Sequence, residues 1–378
     1  MKLRVLTFNC WGVPVFSRDR GARMRAIGRA LAGLDVDVVG LQEVFTRKDR
    51  QVVSQGAERA GLVHSHYFSS GVMGSGLLTL SRYPIEDVGF LRFSLNGRPL
   101  DPIRVDYYAG KGIGRVRLRT PAGPVDVYNA HLIAPYLEFG PDRFYAHRLA
   151  QVLEAGRYMQ TESGQVPALL TCDLNCLPDS LAYRTLIAAA GLVETYRAAN
   201  PDHATITVAD RIPYARLHPP ERLDYIFARS GAQGSFTVAR SDLALTAAPE
   251  PNPDHIPGFS DHYGVRSELE LTPAPAAAID EAAGDPVLKA SLARALRHGI
   301  RHEKAHRRNA GLLAAAASLA SATLLSPGRG RPGGRGIVRV LAGAAVAALL
   351  VTGGLNLSTV ARIDTEMNTL RGMMAEEM

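Results

Sequence analysis

Ala168-Leu169-Leu170-Thr171-Cys172-Asp173-Leu174-Asn175 is an apolar run that ends in two polar side chains. Ala168 to Cys172 has the length and apolarity of a strand buried on both faces. Asp173 and Asn175 stand where such a strand leaves the core. The same arrangement recurs along the chain. Leu3 to Phe8 predicts a strand that ends at Asn9. Val36 to Leu41 predicts another, followed by Gln42 and Glu43. Val125 to His131 predicts one that ends in His131, after strands at Ser75 to Leu80, Val88 to Ser94 and Ile113 to Arg119. Arg222 to Ala228 predicts a strand that carries Asp224, and Val265 to Leu271 predicts the last, just after Ser260-Asp261-His262. Helices are expected at Ala22 to Leu34, where Met24, Ile27, Ala30, Leu31 and Leu34 share a face, and at Pro141 to Met159. Strands dominate and helices interrupt them irregularly. The expected fold class is therefore α+β, a two-sheet sandwich flanked by helices, and not an alternating parallel sheet. Residues 194–220 and 246–259 read as irregular and are expected to frame a pocket.

Composition narrows the function classes. Hydrophobic residues are 46% and charged residues 21% of 378, so the chain is not an intrinsically disordered one. Three Cys, at 10, 172 and 176, form neither a disulfide framework nor a zinc ribbon and are expected as buried apolar filler. The net charge of +7 is uneven: up to residue 273 there are 30 Lys+Arg against 28 Asp+Glu, and beyond it 13 against 8. A nucleic-acid binder carries its basic surplus on the binding domain. Here the surplus flanks an apolar tail, which points to a membrane surface and to no nucleic-acid partner. Strand-like sequence begins at once, with no export leader ahead of it, so the N-terminal domain is expected on the cytoplasmic face.

The tail begins with the linker Thr272-Pro273-Ala274-Pro275-Ala276. The expected domains are 1–272, a catalytic unit; 273–309, a linker and a helix ending in Arg297, Arg301, Lys304, Arg307 and Arg308; 310–357, two apolar segments around a basic turn; and 358–378, an amphipathic helix. Ala310 to Ser326 carries no charge over 17 residues, and Ile337 to Leu357 is broken only by Arg339. A spanning helix needs about 20 apolar residues, with about 17 as the lower limit. A C-terminal transmembrane hairpin is the expectation, with self-association through the C-terminal helices.

One carboxylate at a strand end is often only a turn cap. Six such positions in order, with no Cys or Ser nucleophile motif, point to chemistry. The residue types suit metal-assisted phosphoryl transfer. Glu43, Asn9 and Asp261 offer hard oxygen ligands, which suit Mg²⁺, with Mn²⁺ as a substitute. His262 suits a general base toward water, with Asp224 holding its imidazole. Asp173 and Asn175 suit water orientation, and His131 suits donation to a phosphoryl oxygen. His147 lies on a predicted helix and is read as packing.

Asn9, Gln42-Glu43, Asp173-Leu174-Asn175, Leu223-Asp224-Tyr225 and Ser260-Asp261-His262 together resemble the motif series of the endonuclease/exonuclease/phosphatase superfamily, over about residues 3–271. The resemblance implies a four-layered αββα sandwich and Mg²⁺-dependent cleavage of phosphoesters. Phe8-Asn9-Cys10-Trp11-Gly12, Gly71-Val72-Met73-Gly74-Ser75-Gly76-Leu77, Ser81-Arg82-Tyr83-Pro84-Ile85 and Ala130-His131-Leu132 are similar to neutral sphingomyelinases, as is a tail with two apolar segments. That likeness implies a sphingolipid or lysophospholipid substrate, phospholipase C-type cleavage and membrane attachment. It also implies that Lys111 approaches the phosphate and that Asp106 engages Lys111 in the active arrangement. A nuclease or abasic endonuclease, an inositol-phosphate phosphatase and an inactive membrane-tethered scaffold are the alternatives.

Overall fold

The computed structural model describes residues 1–97, 106–135, 142–208, 212–215, 219–273 and 286–325, with isolated positions near the C-terminus. The first sheet contains β1 (Lys2–Asn9), β2 (Val38–Gln42), β3 (His64–Tyr67), β4 (Leu78–Ser81), β11 (Ser235–Ala244) and β12 (Gly264–Thr272), in the order β11-β12-β1-β2-β4-β3. The second contains β5 (Ile85–Arg92), β6 (Gly112–Thr120), β7 (Gly123–His131), β8 (Ala168–Asp173), β9 (Val193–Glu194) and β10 (Asp224–Arg229), in the order β5-β6-β7-β8-β10-β9. Both are mixed: β1 runs parallel to β2 and β7 parallel to β8, while the other pairings are antiparallel. The helices are α1 (Arg20–Leu31), α2 (Arg47–Glu58), α3 (Asp106–Ala109), α4 (Tyr145–Ser163), α5 (Leu181–Ala190), α6 (Thr195–Ala199) and α7 (Pro286–Leu325).

The period of two in the strands builds the layers. In β1, Leu3 and Val5 point into the core between the sheets, while Leu6 and Phe8 pack with Met24, Ile27 and Leu31 of α1 and Val53 and Ala57 of α2. β2 divides the same way, Val38 inward and Val39 and Leu41 toward the helices. On the second sheet Val127, Leu169 and Ile226 face inward. Its outer side meets the helices: Tyr128 bonds Ser163 of α4 at 2.8 Å, and Tyr183 of α5 packs on Tyr225 and Phe227. The result is the expected αββα sandwich. Burial on both faces is why these strands read as continuous apolar runs.

The sheets touch closely at Gly40, where an added Cβ would lie 1.9 Å from Thr171 Oγ1. Beside it lies a buried polar seam. Gln42 donates to Thr7 Oγ1 at 3.1 Å and to Asn129 Oδ1 at 2.8 Å, and Asn129 donates to the Leu41 and Leu78 carbonyls. Apolar packing tolerates sliding, whereas these paired groups do so only by losing bonds.

Several sequence expectations shift. β3, β11 and helices α2 and α5 were not anticipated; β3 and β11 are edge strands with mixed polar faces, and such strands carry a weak apolar period. The break expected near residue 309 does not occur, because basic and apolar segments run on as the single helix α7. Among the described residues no helix is long and apolar enough to cross a membrane. The second apolar stretch, Ile337 to Leu357, and most of 358–378 lie outside the described residues. Both sheets, α1–α6 and the first residues of α7 form one compact unit, and the rest of α7 belongs to a second.

Candidate active site

The inward face of the strands turns polar at one end of the sandwich. Asn9 continues the Leu3–Val5–Thr7 row, His131 the Val127–Asn129 row, and Asp173 the Leu169–Thr171 row. Pairing aligns them: Asn9 stands beside Gln42, and Asp173 stands between His131 and Asp224. Ser260-Asp261-His262 arrives just ahead of β12, whose Val265 pairs with Thr7. Glu43 follows β2 with φ +60°, which breaks the strand's alternation. Its Oε1 thereby meets Asn9 Nδ2 at 3.3 Å.

His262 Nδ1 lies 2.8 Å from Asp224 Oδ2, which commits that nitrogen and leaves Nε2 for chemistry. Nε2 is 3.9 Å from Asp261 Oδ1. Burial alone would strip the proton from His262, but Asp224, Asp261 and Asp173 outweigh it and raise its proton affinity well above the usual range. The backbone N–H of Asp224 donates to Thr207 Oγ1 at 3.3 Å. Asp173 accepts from Asn9 Nδ2 at 2.9 Å and lies 3.2 Å from His131 Nε2. Burial opposes its ionisation, yet His131, His262 and Lys111 together hold its carboxyl well below the usual range. Asn175, at φ +49°, donates from its backbone to Asp173 Oδ1 at 3.0 Å and from Nδ2 to the Leu132 carbonyl at 3.0 Å.

Lys111 is buried at 3% exposure, too low for an unpaired ammonium. Its Nζ lies 2.8 Å from Asp106 Oδ1, 2.8 Å from His131 Nε2 and 2.7 Å from the Leu132 carbonyl. Asp106 in turn accepts the Ala134 N–H at 3.1 Å. The Asp106–Lys111 pair thus forms as expected, and through it α3 reaches His131. Three partners saturate the ammonium, so a phosphoryl oxygen reaches Lys111 by displacing one of them.

Glu43 is one of the site's groups with a buried polar atom left without a partner, beside Asp224 and His131. Its Oε2 is buried with no hydrogen-bond partner. Burial, then Asp261, raises its pKa against the pull of His131, Lys111 and His262. A buried carboxylate oxygen without a donor fits a cation. Asp173, Asp224 and His262 also bring ligand atoms within 4.8 Å of one another. Within that trio Asp224 Oδ1 is likewise buried without a partner, but His262 Nδ1 holds Asp224 Oδ2 at 2.8 Å, whereas Glu43 has only the 3.3 Å contact from Asn9, so Glu43 is the better cation anchor. Asn9 Oδ1 accepts the Trp11 N–H at 2.9 Å, and its Nδ2 donates to Glu43 and Asp173. All ten sequence-selected residues lie in the first unit. His147 packs against Phe144. Thr207, Asn129 and Arg23 were not anticipated; Thr207 sits in a stretch with no pattern, and Asn129 and Arg23 occur inside ordinary strand and helix periods.

A family model, the Endonuclease/Exonuclease/phosphatase family, matches residues 6–262, and the chain belongs to this family. Within it the likeness is to neutral sphingomyelinases. The chain is 35% identical over 283 residues to a putative neutral sphingomyelinase of Drosophila melanogaster, covering 72% of this chain and 61% of that protein. It is 32% identical over 287 residues to sphingomyelin phosphodiesterase 2 of Mus musculus, covering 73% and 67%. The chain thus spans less than two thirds of the fly protein. A solved beta toxin variant from Staphylococcus aureus with bound magnesium ions shares the fold, with a TM-score of 0.52 at 17% identity, over 71% of this chain and 99% of that one.

Proposed function

We propose that this protein is a Mg²⁺-dependent phospholipase C-type hydrolase of a sphingolipid or lysophospholipid phosphodiester, such as sphingomyelin, cleaved to ceramide and phosphocholine. The observation that carries the reading is one buried cluster. It sets the Asp224–His262 pair beside Asp173, Asn175 and His131, next to Glu43, whose Oε2 lacks a donor. Glu43 and Asp261 would hold the cation, with Asn9 steering Glu43. Bound there, a divalent ion supplies positive charge toward the phosphoryl oxygens. In its neutral form His262 takes a proton from water at Nε2, and Asp224 stabilises the imidazolium that results. Asp173 and Asn175 orient that water toward phosphorus. His131 and Lys111 donate to the phosphoryl oxygens as charge grows. The P–O bond to the lipid alcohol breaks as the new P–O bond forms, so the phosphorus configuration inverts. The names of the relatives support this substrate class.

The organisation proposed is a catalytic unit over 1–272 and a tail that attaches it to the cytoplasmic face of a membrane. The nuclease reading finds little support, because residues 1–273 are nearly neutral and nucleic-acid binders depend on phosphate neutralisation. Purified protein with Mg²⁺ and choline, ethanolamine and glycerol diesters provides the test. Release of the phosphorylated head group from one lipid class is expected. Cleavage of abasic DNA, with no release from any lipid diester, would overturn the reading.

A further inference from the structure

Among the described residues Arg23 is one of the largest side chains buried without exposure, and it sits outside the chemistry described above. Among the described residues no carboxylate pairs with it at ion-pair distance. Its guanidinium donates only to backbone carbonyls: Nε to Arg18 at 2.9 Å, Nη1 to Cys10 at 2.7 Å and Phe259 at 3.1 Å, and Nη2 to Trp11 at 2.6 Å. Its plane also lies 4.7 Å from the Trp11 ring centre and 5.2 Å from that of Tyr214. A buried charge held by neutral partners alone is a costly way to stabilise a fold.

The acceptors explain its place. Cys10 and Trp11 follow Asn9, and Phe259 precedes Ser260-Asp261-His262. Gly12 lies so close that an added Cβ would fall 2.0 Å from the Glu43 carbonyl. Ser260 Oγ reinforces the same seam by donating to the Asn9 carbonyl at 2.7 Å. Only a planar fork of N–H groups reaches converging carbonyls from two loops at once.

We infer that Arg23 is a positioning residue that locks the Asn9–Gly12 loop to the Phe259–His262 loop, and so aligns Asn9, Glu43, Asp261 and His262. The inference rests on the proposed function for its rate and cation-affinity readouts. Trp11, the sole tryptophan, reports on the lock directly through its emission.

The test is Arg23→Lys, which keeps the charge and loses the fork. Hydrolysis of bis(p-nitrophenyl) phosphate with Mg²⁺ is measured beside Mn²⁺ affinity, read from free Mn²⁺ by paramagnetic resonance. With far-UV circular dichroism unchanged, kcat is expected to fall about 10–100-fold with KM within about threefold, as displacement of reacting groups implies. Mn²⁺ affinity is expected to fall about tenfold, and Trp11 emission to move to longer wavelength. A merely structural loss would reduce the number of Mn²⁺ sites and leave their affinity intact. Wild-type kcat and Mn²⁺ affinity in folded Arg23→Lys would overturn the inference. Should that variant not fold, Ser260→Ala decides: lowered affinity supports the lock, and wild-type affinity refutes it. Wild-type protein inactive on every diester would refute the proposed function, and Trp11 emission would still judge Arg23, an unchanged emission in folded Arg23→Lys refuting the lock.

Discussion

At the residue scale the site divides into groups that move protons and groups that balance charge. His262 has one nitrogen bound to Asp224 and one left over. His262→Ala is expected to lower turnover by about 10²–10⁴-fold, the range of a lost general base, with the thermal midpoint nearly unchanged. A wild-type rate in that variant would remove the base assignment. Glu43 is the opposite case, a carboxylate whose Oε2 has no partner. Glu43→Gln replaces a buried charge with a neutral amide, so the Mg²⁺ concentration for half activity is expected to rise at least about tenfold. An unchanged Mg²⁺ titration would take Glu43 out of the cation site. Eight of the ten selected residues could be seen at or beside the ends of apolar strands, and Asp106 and Lys111 came only from the family resemblance. Their roles were less visible. Nothing in the local sequence shows that Asn9 Oδ1 is taken by Trp11, because that bond depends on the turn after β1.

At the element scale the far end of the first sheet is held by Asp37, just before β2. Its carboxylate accepts from Arg4 of β1 at 2.9 Å through Nε and Nη2, and from Arg82, after β4, at 2.9 Å. Burial opposes its ionisation, but the hydrogen bonds from Arg4 and Arg82 outweigh it and hold the carboxyl below the usual range. The folded pKa therefore lies below the unfolded value of about 3.9. The stabilisation is complete well above that value and fades as the pH falls through it toward the folded pKa. Asp37→Asn is expected to cost about 2–4 kcal/mol at neutral pH, less than a fully buried pair because both arginines are partly exposed. Urea unfolding at pH 7 and pH 3.5 checks it, and the gap between wild type and variant is expected to shrink at the lower pH. The central strands were legible because both faces are buried. β11 was not, because one face is polar and its ladder is bulged between Val238 and Arg240.

At the scale of the whole molecule, the first unit holds every described strand and every selected residue, and most of α7 belongs to the second unit. Truncation after Thr272 keeps both sheets. It is expected to leave the rate on a soluble diester within about twofold and to lower the rate on vesicles by about tenfold, if membrane attachment resides in the tail. Equal vesicle rates would show that the tail is no membrane device. The amino-acid order alone specified which strands are buried on both faces, and which polar residues stand at their ends, because burial and period act over a few neighbouring residues. It also placed the excess charge in the tail. Which of those ends come together was settled by strand register, by the seam of Thr7, Gln42 and Asn129, and by the Arg23 lock. Those contacts join residues as much as 236 positions apart, and such pairings exist only once distant strands and helices have assembled.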